Sequence, residues 1–266
     1  MTEPEPFKVY AIRYAHHGGR KANEMFIGGD PHDGPMALDY FVWVAISSTH
    51  TYLIDTGFSA AVALRRQRTL LRTPVEGLAL LGVDAFTVQN VILTHLHYDH
   101  VGNFDMFPSA TLHVQDKEMA YATGRYMREP PLRGAYEVED VIALVREVYA
   151  GRVEFHDGDT ILSPGISLHC IGGHTMGMQC VRLWTQRGWL VLASDASHLY
   201  ANMEEVKPFP IVFDVGAMVD GYRTLRALAD STDHIIPGHD PLVLERYPPP
   251  AEELNGIVVR LDVPPH

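Results

Sequence analysis

The stretch Thr94-His95-Leu96-His97-Tyr98-Asp99-His100 decides the fold of this chain. It places three imidazoles and one carboxylate directly after the apolar segment Val91-Ile92-Leu93. An apolar, β-branched run bounded by polar residues predicts a short buried strand. If that strand continues to His97, the side chains of His95 and His97 point to the same side, because side chains alternate along a strand. We interpret the stretch as metal-binding, with Asp99 and His100 beyond the strand end, an arrangement that suits two adjacent ions better than one.

Three later segments each combine an apolar run with a turn that presents one potential ligand. Residues 166–171 lead into Gly-Gly-His174, residues 189–194 lead into Asp195, and residues 234–236 lead into Pro-Gly-His239. A glycine or small residue at such a turn lets the backbone approach closely. Each segment alone is ambiguous, but together with the first motif they complete a set of histidines and aspartates. The set is His95, His97, Asp99, His100, His174, Asp195 and His239.

With these residues in this order, the chain resembles the metallo-β-lactamase fold superfamily, and within it the quorum-quenching N-acyl homoserine lactonases. The resemblance runs from about Val42 to His239 and includes the strand end Leu53-Ile54-Asp55-Thr56-Gly57. It implies an α/β fold, an αββα sandwich of the metallo-β-lactamase type, as a single hydrolase domain over residues 1–266. It also implies how the ligands divide. One metal takes His95, His97 and His174, the other takes Asp99, His100 and His239, and Asp195 bridges both.

The ligand set indicates hydrolytic chemistry. Neutral imidazoles and carboxylates suit Zn²⁺, and they also suit Mn²⁺, Fe²⁺ and Co²⁺. Two such ions lower the pKa of a shared water from about 15.7 toward neutrality, and the resulting bridging hydroxide can attack a carbonyl carbon. A lactone fits because its leaving oxygen stays tethered near the second ion. Asp99 is predicted to carry the proton as well as to bind metal, which makes it a catalytic residue.

The favoured function is therefore a dinuclear metal hydrolase that opens a lactone, with an N-acyl homoserine lactone as the first substrate. Three alternatives stay open. One is a catabolic lactonase for a different ring, and another is a hydrolase of a small ester or thioester. The third is a binding or sensor protein that holds metal without turnover. The resemblance also makes a homodimer a reasonable expectation.

One position departs from the lactonase pattern. Such enzymes commonly carry a tyrosine three residues after the bridging aspartate, where this chain has His198. Histidine can donate a hydrogen bond in place of the tyrosine, so we predict a catalytic role for His198, with Tyr200 close to the substrate. Tyr98 is predicted to form part of the pocket wall. Met25 and Phe26 either form an apolar lip for an acyl chain or pack as a plug within their loop.

Composition excludes several classes of function. At 266 residues with 46% apolar content, the chain can bury one large core. The formal charge of −12 argues against nucleic-acid binding, which needs a basic face. No apolar span is long enough for a transmembrane helix, so no membrane partner is expected. The N-terminus lacks the basic and apolar regions of a secretory signal, which predicts a cytoplasmic protein.

The coarse element pattern adds four expectations. Thr51 to Ile54 reads as a strand, and Val138 to Tyr149 reads as a helix. Ala60 to Arg72 has helical spacing, and its arginines 65, 66, 68 and 72 are interpreted as a solvated basic face. Tyr126 to Tyr136, which is rich in proline and glycine, is expected to be a loop.

Overall fold

The computed structural model describes residues 4–30 and 32–266, and its strands form two β-sheets. The strands are β1 (Lys8–His17), β2 (Leu38–Ile46), β3 (Thr51–Ile54), β4 (Thr69–Leu70), β5 (Asn90–Ile92), β6 (Thr111–Gln115), β7 (Val153–His156), β8 (Thr160–Ser163), β9 (Ile166–Cys170), β10 (Gln179–Thr185), β11 (Gly188–Ser194), β12 (Ile235–Pro237) and β13 (Val258–Arg260).

The first sheet has the strand order β13-β1-β2-β3-β5-β6-β7, with β4 paired to β1. Its strands β3, β5, β6 and β7 are parallel, whereas β1 pairs antiparallel with β2, β4 and β13. The second sheet has the order β12-β11-β10-β9-β8 and is antiparallel except for the β11–β12 pair. Loops that follow the carboxyl ends of β5, β9, β11 and β12 carry the predicted ligands.

Ten α-helices lie among the described residues, and three of them cover the outer face of the first sheet. The helices are α1 (Ala22–Met25), α2 (Ala60–Arg66), α3 (Pro74–Ala79), α4 (Tyr98–Val101), α5 (Asp116–Ala122), α6 (Pro130–Arg133), α7 (Val138–Tyr149), α8 (Tyr200–Glu204), α9 (Val215–Leu228) and α10 (Leu242–Arg246). None of them combines the length and apolarity needed to span a bilayer.

Strand β2 shows how the layers pack, because side chains alternate between the two faces of a sheet. Phe41 and Trp43 lie in a core cluster shared with the second sheet and with α9. Val42 and Val44, which alternate with them, lie in a separate cluster with buried residues of α2, α3 and α7. The order of layers is therefore helix, sheet, sheet, helix, which confirms the predicted αββα sandwich.

Helix α2 is shorter than the sequence pattern predicts. It ends at Arg66 because Gln67 takes the left-handed backbone conformation, with φ of 56°, and closes the helix as its C-cap. The next residues form β4, which pairs with β1. Arg68 and Arg72 are consequently not part of a helix face, and the prediction of a helix over residues 60–72 is wrong at its C-terminal end.

Residues 126–136 also differ from the expectation of a loop. They contain most of a 3₁₀-helix, Arg125–Arg128, followed by α6. Pro130 and Pro131 fit the first positions of α6, because the amides there have no intrahelical acceptor. Strand β3 and helix α7 have the bounds that the sequence predicts.

Candidate metal centre

The chain leaves the sheet before the first histidine of the motif. Strand β5 ends at Ile92, so the condition that it continues to His97 is not met. The backbone amide of Thr94 donates to Asp55 Oδ1 at 2.8 Å, and that of Leu96 donates to Glu118 Oε1 at 2.9 Å. Side-chain carboxylates thus replace a neighbouring strand as the acceptors. His97 then becomes the N-cap of α4, the short helix that presents the rest of the motif.

Three histidines, here called the three-histidine group, meet on one side of the centre: His95, His97 and His174. His97 Nδ1 lies 3.0 Å from His95 Nε2 and 2.8 Å from His174 Nε2. All three rings are buried. Burial is the main cause that lowers the pKa of His95 and His97 well below the ordinary value and that of His174 to about 4. The neutral imidazole favoured by these shifts is the form that binds metal.

On the other side lie Asp99, His100 and His239, here called the mixed group. Asp99 Oδ2 is 3.6 Å from the Nε2 atoms of both histidines. Burial disfavours a charged His100, but the carboxylates of Asp195, Asp55 and Asp99 outweigh it and raise the pKa of His100 well above its ordinary value. On this side, the negative charge of the carboxylates therefore stabilises the protonated form of a ligand histidine.

Asp195 lies between the two groups and turns one oxygen toward each. Its Oδ2 is 3.3 Å from His174 Nε2 and 3.7 Å from His95 Nε2. Its Oδ1 is 2.9 Å from His239 Nε2 and 3.4 Å from His100 Nε2. One carboxylate thus faces both groups, as expected of a ligand shared by two ions.

The donors fit divalent cations because two of their atoms are buried without a hydrogen-bond partner among the described residues. Within the described residues, His100 Nε2 and Asp195 Oδ1 are buried and make no hydrogen bond, although His239 Nε2 is close to the latter. An unpaired buried polar atom is costly unless a ligand, ion or water satisfies it. A metal ion bound between these ring nitrogens and carboxylate oxygens would supply the partner that they lack.

Further contacts hold the ring orientation of the ligand histidines. His174 Nδ1 lies 2.7 Å from the carbonyl oxygen of Ile211, and His239 Nδ1 lies 3.0 Å from that of Asp39. A carbonyl acceptor places the proton on Nδ1 and leaves Nε2 free to bind metal. These two histidines are therefore oriented before any ion binds.

Asp55 orients the mixed group. Its Oδ2 lies 2.7 Å from His100 Nδ1 and also accepts a hydrogen bond from the Thr94 hydroxyl at 2.8 Å. Asp55 has a left-handed backbone with φ of 63°, which turns the chain at the end of β3. Asp55 therefore both turns the chain and contacts a candidate metal ligand.

Glu118, on α5, is a supporting residue that the sequence analysis missed. Its Oε1 accepts from the amide of Leu96 and from the hydroxyl of Tyr136, both at 2.9 Å. Its Oε2 accepts from the Thr175 hydroxyl at 2.6 Å and from the Gly177 amide at 3.1 Å. One fully buried carboxylate thus ties together the segments that carry the three-histidine group. A single charged residue on an otherwise ordinary helix gives little signal for this role.

Two glycines are required by close packing at the centre. A Cβ on Gly177 would lie 2.1 Å from the backbone nitrogen of Glu118. A Cβ on Gly238 would lie 2.7 Å from Asp195 Oδ1. The glycine before His239 is therefore needed to bring that loop against the shared carboxylate.

A small cavity of about 40 Å³ opens onto the cluster. It is lined by Arg20, Leu38, Tyr40, Arg68, His97, Tyr98, Asp99, Ala135, His174, Asp195, His198, Ile211 and His239. Of the residues predicted to contact substrate, Tyr98 and His198 lie in this lining. The sequence analysis missed the two arginines, because it placed Arg68 on a solvated helix face and did not single out Arg20.

Three predicted substrate contacts need correction. The side chain of Met25 is fully buried and packs in a small cluster with Leu38 and Leu199. Phe26 lines a separate cavity beside α1. Tyr200 is buried in the core with the Arg246 guanidinium 3.8 Å above its ring. None of the three lines the metal-centre cavity, because α1 and α8 direct these side chains into other contacts.

Comparison with known proteins gives consistent similarities. The family model described as the metallo-beta-lactamase superfamily matches residues 36–239. The chain is 32% identical over 173 residues to the N-acyl homoserine lactonase AttM of Azorhizobium caulinodans, covering 60% of this chain and 61% of that protein. The alignment thus spans only about three fifths of that relative's length.

Two solved structures share the fold. One is a quorum-quenching N-acyl homoserine lactone lactonase, with a TM-score of 0.75 and 22% identity over 90% of this chain and 94% of that chain. The other is AidC, a dizinc quorum-quenching lactonase, with a TM-score of 0.70 and 16% identity over 90% of this chain and 92% of that chain.

Proposed function

This chain belongs to the metallo-beta-lactamase superfamily, and from that premise we propose that it is a dinuclear metal-dependent hydrolase that opens the ring of a small lactone. An N-acyl homoserine lactone is the first candidate substrate, because a similar protein and two proteins of the same fold are lactonases for such compounds. The proposal rests above all on Asp195, whose two oxygens face two separate groups of potential ligands.

The residues present fit two divalent ions. The three-histidine group and the mixed group would each hold one ion, with Asp195 shared between them. We propose zinc, because imidazole and carboxylate ligands suit it and the similar structure AidC is a dizinc enzyme. Bound ions would supply Lewis acidity to the lactone carbonyl and to the attacking water. A cytoplasmic location and a homodimer stay predictions.

Asp99 is proposed to move the proton. It lines the cavity, and its Oδ2 approaches both histidines of the mixed group. The Tyr14 hydroxyl donates to the backbone carbonyl of Asp99 at 2.9 Å and so fixes the start of α4. A carboxylate held at the cavity wall can accept the proton of the attacking water and return it to the leaving oxygen.

His198 is proposed to donate a hydrogen bond to a substrate oxygen. Its ring stacks on Phe209, with centroids 3.4 Å apart, and burial is the main cause that lowers the pKa of His198 to about 4. A neutral ring carries one N–H, and Nε2 lies 2.9 Å from Asp195 Oδ2. Asp195 would be engaged in holding metal in the loaded protein, which would leave the N–H of His198 available to substrate.

The test is hydrolysis by zinc- or cobalt-loaded protein, followed by proton release. The substrates are acyl homoserine lactones of short and long chain, simple γ- and δ-lactones, a thioester, a phosphodiester and a β-lactam. We expect ring opening of lactones and its loss in His95→Ala. A protein that binds two metal ions per chain but opens no lactone would overturn the proposal.

A further inference from the structure

Two arginines, Arg20 and Arg68, stand in the wall of the metal-centre cavity. Arg68 reaches this position because α2 ends at Arg66 and the chain turns into β4. Cationic side chains here go against the overall charge of the chain, which is −12. The proposed hydrolysis of a neutral ring does not use them.

The guanidinium of Arg68 is held in place but not neutralised. Its Nε donates to the Tyr98 hydroxyl at 3.1 Å, and its Nη1 donates to the Arg66 carbonyl at 2.6 Å. Nη1 also lies 3.3 Å from His17 Nε2. Within residues 4–30 and 32–266, Nη2 has no hydrogen-bond partner, and no carboxylate lies within ion-pair distance of Arg68. Neutral groups thus hold the Arg68 side chain in place, and the N–H donors of Nη2 remain free to bind a ligand.

The guanidinium of Arg20 also has an N–H donor without an acceptor in the described part of the chain. Its side chain is 12% exposed, and its Nε is buried without a hydrogen-bond partner among the described residues. The one carboxylate that approaches is Glu24, at 3.6 Å from Nε. Arg20 and Arg68 both line the same cavity beside the metal centre, so one bound anion there would be near both guanidiniums.

We propose that Arg20 and Arg68 bind a carboxylate carried by the substrate, so that the preferred lactone is one with a carboxylate outside its ring ester. The proposal rests on the proposed lactone hydrolysis, and it favours an anionic lactone over the N-acyl homoserine lactones, which are neutral. A guanidinium matches a carboxylate through paired N–H donors, and a partly buried arginine gains most from such a partner.

The reaction balances as an ordinary hydrolysis. The oxygen of water forms a bond to the ring carbonyl carbon, the ring carbon–oxygen bond breaks, and the leaving oxygen takes a proton. The product is a hydroxy dicarboxylate. Its new carboxylate arises at the metal centre, and its original carboxylate remains at the two arginines.

The test compares γ-butyrolactone bearing a ring carboxylate with the same ring bearing a primary carboxamide. The two rings have nearly the same shape and differ by one charge. We expect wild-type zinc-loaded protein to prefer the carboxylate, and Arg68→Gln or Arg20→Gln to reduce the ratio of the two kcat/KM values at least tenfold, through KM. A tenfold change corresponds to about 1.4 kcal/mol.

Arg65→Gln is the matched control. Arg65 lies on α2, has a side chain that is 58% exposed, and pairs with Glu137 outside the cavity. It should leave the substrate ratio unchanged. The proposal is wrong if the wild type shows no preference, or if the cavity variants reduce turnover of both lactones equally, since that would indicate a structural role. Because Arg68 contacts Tyr98, thermal melting of each variant is recorded, and Arg20→Gln provides the test if Arg68→Gln does not fold.

A binding measurement separates failure of this inference from failure of the proposed function. Calorimetry on zinc-loaded protein compares succinate with butyrate, which has the same number of carbons and one charge fewer. We expect succinate to bind at least tenfold more tightly, and Arg68→Gln to abolish the difference. If no lactone is opened but this difference is found, the hydrolase proposal fails and the carboxylate site stands. Equal affinities would overturn the carboxylate site, whatever the activity.

Discussion

The two sides of the metal centre differ in the chemistry of their potential ligands. The three-histidine group consists of buried, neutral rings packed against one another, and burial lowers the pKa of each. The mixed group includes a carboxylate, and nearby carboxylates raise the pKa of His100 despite its burial. The supports differ as well, since Glu118 ties the segments of the first group and Asp55 holds His100 in the second. Asp195 lies between the two groups and faces each with one oxygen.

This difference indicates that the binding of the two ions would depend on different features of the protein. On the three-histidine side, geometry is set by backbone segments that a buried carboxylate holds together. On the mixed side, charge balance among carboxylates and imidazoles contributes directly. Changes to one support should therefore affect one ion more than the other, whereas a change to the shared ligand should affect both.

The largest effect is expected from the shared ligand. Asp195→Asn removes the negative charge of the carboxylate and replaces one of its two oxygens by an amide nitrogen, which does not bind a cation. We expect lactone kcat/KM to fall by on the order of a thousandfold, which is about 4 kcal/mol of transition-state stabilisation. Steady-state kinetics and metal analysis measure the change. Retention of wild-type activity would refute a shared role for Asp195.

The next effect concerns the three-histidine side alone. Glu118→Gln keeps the shape of the side chain but replaces one acceptor oxygen by a donor, which opposes the donors from Thr175 and Gly177. We expect a 10- to 100-fold weaker affinity for one of two zinc ions, in the range found for groups that orient metal ligands. Zinc titration measures it. Asp116→Asn, at an exposed position on α5, is the control, and equal loss in both variants would contradict a positioning role.

Acidification of the metal-free protein should affect the two sides in opposite directions. The pKa of His97 is lowered by burial, so the unfolded state takes up the proton first and stability is lost as pH falls below about 6.5. The raised pKa of His100 gives a contribution that is fully present below about 6.5 and is lost as pH rises through the folded-state value.

Urea unfolding at pH 7 and pH 5 measures this difference. Relative to wild type, the destabilisation caused by His97→Gln should shrink on going from pH 7 to pH 5, whereas that caused by His100→Gln should grow. Changes of the same sign for both variants would contradict the comparison.

The smallest effect is expected on the mixed side. Asp55→Asn keeps an oxygen that can accept from His100 Nδ1 but removes the charge next to it. We expect about tenfold weaker affinity for one zinc ion, with the other ion little affected. Asp84→Asn, at a cap of a 3₁₀-helix away from the centre, is the control. If Asp55→Asn weakens both ions to the same extent, its effect is not specific to the mixed side.

The sequence predicted the metal ligands well because most of these residues stand where a strand ends and the backbone turns. The residues of the two ligand groups and Asp195 follow strand ends or open a short helix, so their spacing predicted a common site, and the structure brings them together. The αββα layering was predicted from the resemblance to the metallo-β-lactamase fold superfamily. The sequence left open whether β5 continues to His97, because the acceptors for that backbone are side chains, Asp55 and Glu118, which no local pattern indicates.

The substrate side was predicted poorly for a physical reason. Which side chains line a cavity depends on packing between segments far apart in the chain, and Met25, Phe26 and Tyr200 are all directed elsewhere. Arg68 was missed because its position depends on one left-handed residue, Gln67, that ends α2 early. Hydrophobic periodicity alone carries no signal for such an ending.

The most direct test of the account is the zinc content of purified wild-type protein, titrated from the metal-free state and counted per chain. The account predicts two ions bound in two resolved steps, and loss of one step in His174→Ala and of the other in His239→Ala. A single ion per chain at saturation, or loss of the same step in both variants, would contradict the two-sided centre.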